Sequence, residues 1–256
     1  APYMKMIWTI ATTEFRRMFN SPLAWSILAV VQFILAWVFL LGLNEYVTQI
    51  QPAMAGRENV PGLSDLVVSA LYLWAGVIML AVMPILTMRL FAEERMNQTL
   101  SLLTTAPISI SQIVVGKYLG LLLLIITMIG MLSLMPASLS LGTDLDWGKL
   151  AAAILGLFLL LASFAAAGLF LSSLTRQPII AAVSTFGLLL FLLVLYISGN
   201  SQGSGSQLFI YLSHFGHFLS FLEGLFDSSD LVYYLLFIIS FLLLTIRKLD
   251  NERLQR

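Results

Sequence analysis

The chain contains no cysteine, which excludes disulfide staples, thiolate metal ligands and thiol nucleophiles. Charge is scarce as well. Asp, Glu, Lys and Arg make up 10% of the 256 residues, where a soluble domain carries about 25%. A water-facing surface for a chain of this length cannot be built from so few charges. Basic and acidic residues balance at 13 each, so no net positive field points to nucleic acid. No G-x-x-x-x-G-K-S/T stretch occurs, and that pattern is the phosphate cradle of many nucleotide-hydrolysing proteins. His214 and His217 are three apart, a helical spacing suited to two metal ligands, but no clear third ligand accompanies them. They read as structural histidines. A Ser213, His214, Asp227 triad can be composed only on paper. The chain itself is not expected to be an enzyme or to hold a metal or cofactor.

What is present is apolar sequence in long runs. Hydrophobic residues make up 59% of the chain. A membrane span needs roughly 20 mainly apolar residues, and six stretches meet or approach that length: 22–43, 66–88, 118–139, 150–175, 178–197 and 231–246. Continuous runs rather than alternation select helices, and lipid admits only helices or closed barrels. The fold class is therefore an all-α membrane protein with six transmembrane helices. None of the six stretches contains Asp, Glu, Lys, Arg or His. Ion-coupled carriers need such residues near the midplane, so that class is disfavoured. With the N-terminus in the cytoplasm, eleven basic residues face inside and two, Arg57 and Lys149, face outside. That bias predicts both termini cytoplasmic. An amphipathic stretch, not a signal peptide, precedes the first run.

Three further segments read as helices outside the spans. Residues 3–20 place Met4, Ile7, Trp8, Ala11, Phe15 and Met18 on one face, and a helix of that kind lies in the membrane interface. On the outer side, after SGNSQGSGSQ (198–207), Leu208, Leu212, Phe215, Leu219, Leu222 and Phe226 recur at helical spacing. They predict outer amphipathic helices over 207–228 that dip into the outer leaflet. Between the second and third spans lies FAEERMNQTLSLLTTAPIS (91–109). A helix from Glu93 to about Thr104 would carry Met96, Leu100 and Leu103 on its apolar side and Glu94, Asn97, Gln98 and Ser101 on its wet side. Pro107 ends it. Ser109 and Gln112 then form the S-x-x-Q capping box of a new helix that passes Lys117 into the third span. A slack connector is one reading of this elbow, and a lever pushed by a cytoplasmic partner is the other.

The residues FAEERMNQTLSLLTTAPISISQIVVGKYLG (91–120) resemble the stretch after the second span in permeases of ABC exporters, here reading E-E-x-x-x-x-T-x-x-L-L-x-x-x-P-I-S with a following G-K. LFLSSLTRQPIIAAVSTF (169–186) resembles their short turn between the fourth and fifth spans. HFGHFLSFLEGLFDSSDLVYY (214–234) resembles the last outer segment of the branch containing the gliding-motility (GldF) and nitrous-oxide-reductase-maturation (NosY) permeases. The resemblance implies a permease subunit of the bacterial inner membrane that works as a dimer with a second copy or a related permease. It implies a separate ABC ATPase subunit that carries the ATP and Mg. In that branch a membrane partner with a large periplasmic domain is common. Glu93, Glu94, Asn97, Gln98, Thr99, Ser101 and Pro107 would belong to the coupling helix that meets the ATPase. Ser172, Leu174, Thr175 and Arg176 would give a smaller second contact, and residues 3–20 would be the connecting helix. Six spans would form half of an exporter. The alternative is a mechanotransmitter, in which ATPase-driven motion acts on a periplasmic partner and no substrate crosses.

Overall fold

The computed structural model describes residues 2–53, 62–100, 108–199, 209 and 211–254. Its elements are α1 (Pro2–Phe19), α2 (Pro22–Glu45), α3 (Ser69–Thr87), α4 (Ala92–Met96), α5 (Ile110–Ser138), α6 (Trp147–Leu174), α7 (Pro178–Gly199), α8 (His214–Leu222) and α9 (Ser228–Leu254). α2 runs on through a π-helical turn, Tyr46–Ile50, and another, Ser64–Val68, leads into α3. No strand occurs among the described residues. Six helical stretches are long and apolar enough to cross a membrane, built on α2, α3 with α4, α5, α6, α7 and α9. The all-helical, six-span class read from hydropathy is the one observed.

Caps set the starts of these helices. Ser21 accepts from the Leu23 N–H with Pro22 opening α2, and Asp146 accepts from the Gly148 and Lys149 N–H groups at α6. Ser109 and Gln112 make both halves of the capping box at α5.

α6 is the central span: 72% of its most apolar stretch is buried, against 22% for α2, α7 and α9. Its small residues explain why. Ala162, Ser163, Ala165, Ala166, Ala167 and Gly168 are all buried, which lets neighbouring helices approach closely. A Cβ on Gly168 would lie 2.3 Å from Thr87 Oγ1, so α3 and α6 can cross there only with glycine. Polar groups within the spans pair locally. Gln32 donates to the Met128 carbonyl at 3.0 Å, Tyr72 and Ser133 share a hydrogen bond at 2.7 Å, and Tyr118 donates to the Ala162 carbonyl at 2.9 Å.

Two helices outside the spans pack on the bundle. α1 packs along α5. The seat is G-K-Y-L-G: a Cβ on Gly120 would sit 2.8 Å from Glu14 Cβ and 2.9 Å from the Ala11 carbonyl. Ala11 and Glu14 are buried there while Met4 and Trp8 stay exposed. α8 packs against α6, α7 and α3, and its buried face is His214, Phe215, His217, Phe218, Phe221 and Leu222. Leu212 and Phe226 are exposed, and Leu208 lies outside the described residues. The spacing of apolar residues was right for a helix, but the phase was set by Phe218 and Phe221 meeting α3 and α6.

The histidines serve this packing. His217 bonds Asp230 of α9 through Nδ1 at 2.6 Å and the Tyr211 carbonyl through Nε2 at 2.8 Å. His214 meets the Tyr233 hydroxyl at 3.0 Å, and its carbonyl accepts from Tyr234 at 2.6 Å. Burial, and secondarily the neighbouring His217, push the His214 imidazole down to about 3.

Candidate docking elbow

After α3 ends, the chain turns through residues 88–91 and forms a single helical turn or so, α4. It stops early. Gln98 adopts a left-handed backbone at φ 59°, and the Thr99 N–H returns to the Glu94 carbonyl at 2.9 Å while the Gln98 N–H returns to that of Arg95 at 3.3 Å. That pair of bonds is a Schellman closure. The helix expected to run from Glu93 to about Thr104 is thus broken at Asn97–Gln98. Nothing in the sequence announces the break, because the left-handed position usually belongs to Gly.

Glu94, expected on the wet face, is buried. Its Oε1 accepts from Lys117 Nζ at 2.6 Å and from Arg17 Nη1 at 3.2 Å. Lys117 also donates to Glu14 Oε1 at 2.5 Å, and Arg17 lies 3.4 Å from Glu14. Two carboxylates and two cations close a ring among α1, α4 and α5. Lys117 is 1% exposed, and its ammonium lies 5.4 Å from the centre of the Phe91 ring, within cation–π reach. The reason Glu94 turns inward is electrostatic: a desolvated Lys117 costs several kcal/mol unless anions pair with it. Met96, expected on the apolar side, is exposed in its place.

The same elbow is fixed on two other sides. Ser172 of α6 accepts from the Phe91 and Ala92 N–H groups at 3.1 and 3.0 Å and donates to the Met88 carbonyl at 3.1 Å. It satisfies backbone groups that the turn leaves open. Ser172 is fully buried, so it is an internal brace and not the surface contact that the resemblance implied. Arg95 pairs with Glu252 of α9 at 2.6 Å, and Arg253 donates to the Ile108 carbonyl at 3.2 Å. The chain end of α9 therefore grips both sides of the elbow. α1, α4, the start of α5 and the end of α9 meet at one end of the bundle.

What remains outward is the tip. Asn97, Gln98 and Thr99 are exposed, and Glu93 is half-buried. Ser101 and Pro107 lie outside the described residues, as do Leu102 and Leu103. α4 also touches α6 and α7, and the turn joining those two helices exposes Arg176 and Leu174. Sequence reading missed Glu14, Arg17 and Glu252 as parts of this site. Glu14 carried a usable signal: Ile7, Ala11, Glu14 and Met18 share one stripe of α1, and an acid in an apolar stripe needs a cation.

No protein with a curated description matches this chain. A family model does match, that of the ABC-2 family transporter protein, over residues 8–222. The match runs from within α1 to the end of α8 and takes in the whole elbow. The chain belongs to the ABC-2 family of transporter proteins, as a membrane-spanning permease subunit of an ABC transporter.

Proposed function

We propose that this permease takes its power stroke from a separate ABC ATPase subunit docked on the elbow, with Asn97, Gln98 and Thr99 at the contact and Arg176 as a second point. Glu93 stands at its edge. ATP and Mg are held by that partner. The single observation that carries the reading is the bracing of α4. A five-residue helix with an exposed tip is tied by buried polar bonds to α1, α5, α6 and α9. A slack connector would absorb a push, whereas this one passes it to four helices at once. The eleven-to-two basic bias supports an elbow on the cytoplasmic face of the bacterial inner membrane, with both termini there.

The finer assignment is a homodimeric or paired exporter of the gliding-motility and nitrous-oxide-reductase-maturation type. The mechanotransmitter is the second reading. The half-open pocket among α2, α3, α5 and α6 holds only about 10 Å³, so a substrate would have to pass elsewhere, between two copies, or not at all. The test is co-purification with the cognate ATPase. Asn97→Arg combined with Arg176→Glu should weaken the complex or uncouple hydrolysis while the permease still inserts and folds. Unchanged binding and stimulation would reduce the elbow to a connector.

A further inference from the structure

A groove of about 520 Å³ runs between the α1–α2 turn and the α3–α4 elbow. Its walls have two characters. Toward the bundle centre they are apolar: Leu23, Ala24, Ile85 and Leu86. Toward the end of the bundle they are polar, with Asn20 and Asn97 beside Arg17, Arg89 and Glu93. Ile85 is exposed, so the apolar half opens on the outside of the bundle at the end of two spans. Trp25, at the same turn, is exposed with its indole N–H on the Phe19 carbonyl at 2.7 Å. An exposed Trp at the end of a span marks headgroup depth.

The charges in the groove are of two kinds. Glu94 is consumed by Lys117 and Arg17. Arg89 and Glu93, by contrast, form no ion pair among the described residues, with each other or with anything else. One cation and one anion thus stand in the same groove, each open to a complementary charge. Guanidinium groups bind phosphate oxygens through paired N–H donors, and basic pockets between spans take lipid headgroups. A carboxylate beside it suits an ammonium that can donate hydrogen bonds.

We propose that this groove is a binding site for a glycerophospholipid with a primary-amine headgroup. The phosphate sits on Arg89, with the outer edge of Arg17 in support, the ammonium sits on Glu93, and an acyl chain lies along Leu23, Ala24 and Ile85. A soluble partner is disfavoured as the occupant because one groove joins apolar side chains of two spans to a cation and an anion at the ends of those spans, the pairing of tail and zwitterionic head that a lipid has. The lipid would wedge the α1–α2 turn against the elbow and so set the stiffness of the lever from its lipid side.

The test uses the full permease alone in detergent, so its outcome is independent of ATPase docking. Delipidated protein is titrated with palmitoyl-oleoyl phosphatidylethanolamine, phosphatidylcholine or phosphatidylglycerol and bound lipid is counted by native mass spectrometry. The expected result is one tight phosphatidylethanolamine, held roughly tenfold better than phosphatidylcholine, whose ammonium carries no donor. Arg89→Gln should abolish that tight site. Glu93→Gln should erase the preference between the two lipids while binding persists. Inorganic phosphate should not compete, since it lacks the chain. Phosphatidylethanolamine held equally by wild type and Arg89→Gln would overturn the proposal. So would equal affinity for the two lipids in wild type, a preference for phosphatidylglycerol, or displacement by phosphate.

Discussion

Replacing Lys117 with Met keeps the length of the side chain and deletes its charge, leaving Glu14 and Glu94 buried where they were held at 2.5 and 2.6 Å from the ammonium. Each carboxylate already has one buried oxygen without a hydrogen-bond partner, Glu14 Oε2 and Glu94 Oε2, so Arg17 is the one cation left to answer both. Breaking a buried ion pair costs about 3–5 kcal/mol. Arg17 reaches both acids but is 46% exposed and sits at 3.2 and 3.4 Å, and it recovers a fraction of that. The loss should fall near the low end, about 3 kcal/mol. Removing all three charges, as Glu14→Gln, Lys117→Met and Glu94→Gln together, exchanges the network for neutral groups of similar size. Most of the lost stability should return, because the desolvation penalty goes with the charges. The assay is unfolding of the purified permease in mixed detergent micelles, read by loss of helical circular dichroism. Stimulation of the ATPase is measured alongside. The triple variant should fold well yet stimulate poorly, since α1, α4 and α5 are no longer tied by charge. A Lys117→Met protein as stable as wild type would refute the account. A triple variant no better than the single would do so too.

Gly168→Val should destabilise the α3–α6 crossing by at least 1–3 kcal/mol in the same unfolding assay, because its Cβ would fall 2.3 Å from Thr87 Oγ1 and a β-branched neighbour cannot rotate away. His214 titrates well below its unfolded value, so the unfolded chain binds the extra proton first as pH falls. Its contribution is fully present above about pH 6.5 and erodes by up to about 1.4 kcal/mol per pH unit below that. His214→Phe should therefore show a shallower loss of stability between pH 6 and 4 than wild type, and parallel slopes would count against the assignment. For topology, a single cysteine at exposed Thr143, in the α5–α6 connection, should react with an impermeant thiol reagent in intact cells. One at Asn251 should not, and labelling at Asn251 would invert the orientation. Gly56 and Gly203, the other outer-side positions that the basic bias marks for such labels, lie outside the described residues.

The spans were legible because burial in lipid needs only composition and length. The α5 start was legible too, since Ser109 and Gln112 cap through local bonds three residues apart. What could not be read was which helix each amphipathic segment meets. In α1 the apolar face was assigned by counting hydrophobic side chains. Ala11 of that face is packed, but so is Glu14, while Met4 and Trp8 are exposed. A small residue and an acid win that position because Gly116 and Gly120 let α1 approach α5 closely, and Lys117 between them supplies the counter-charge. In α8, Phe218 and Phe221 set the phase through contacts with Gly76 and Gly156, which lie far away in sequence. Glu94 was placed in water because charge on a short helix is usually solvated. Only the three-dimensional meeting with Lys117 and Arg17 turns it inward.

A buried ion ring is an expensive way to join three helices, and an apolar core would hold them more cheaply. The difference lies in how the two kinds of contact respond to displacement. Apolar packing is non-directional, so α4 could slide against α1 and α5 with small changes in area. Charge-assisted hydrogen bonds at 2.5–2.6 Å fix distance and direction together. On the proposed docking, a push on Asn97–Thr99 would move α1, α4 and α5 as one body. Ser172 and Arg95 add α6 and α9 through bonds of the same directional kind. The ring stands at the end of the bundle, where water can still reach Arg17. That placement limits the desolvation cost to Lys117 and the inner carboxylate oxygens, while the lipid-facing lengths of the spans keep their ordinary apolar packing and remain free to tilt.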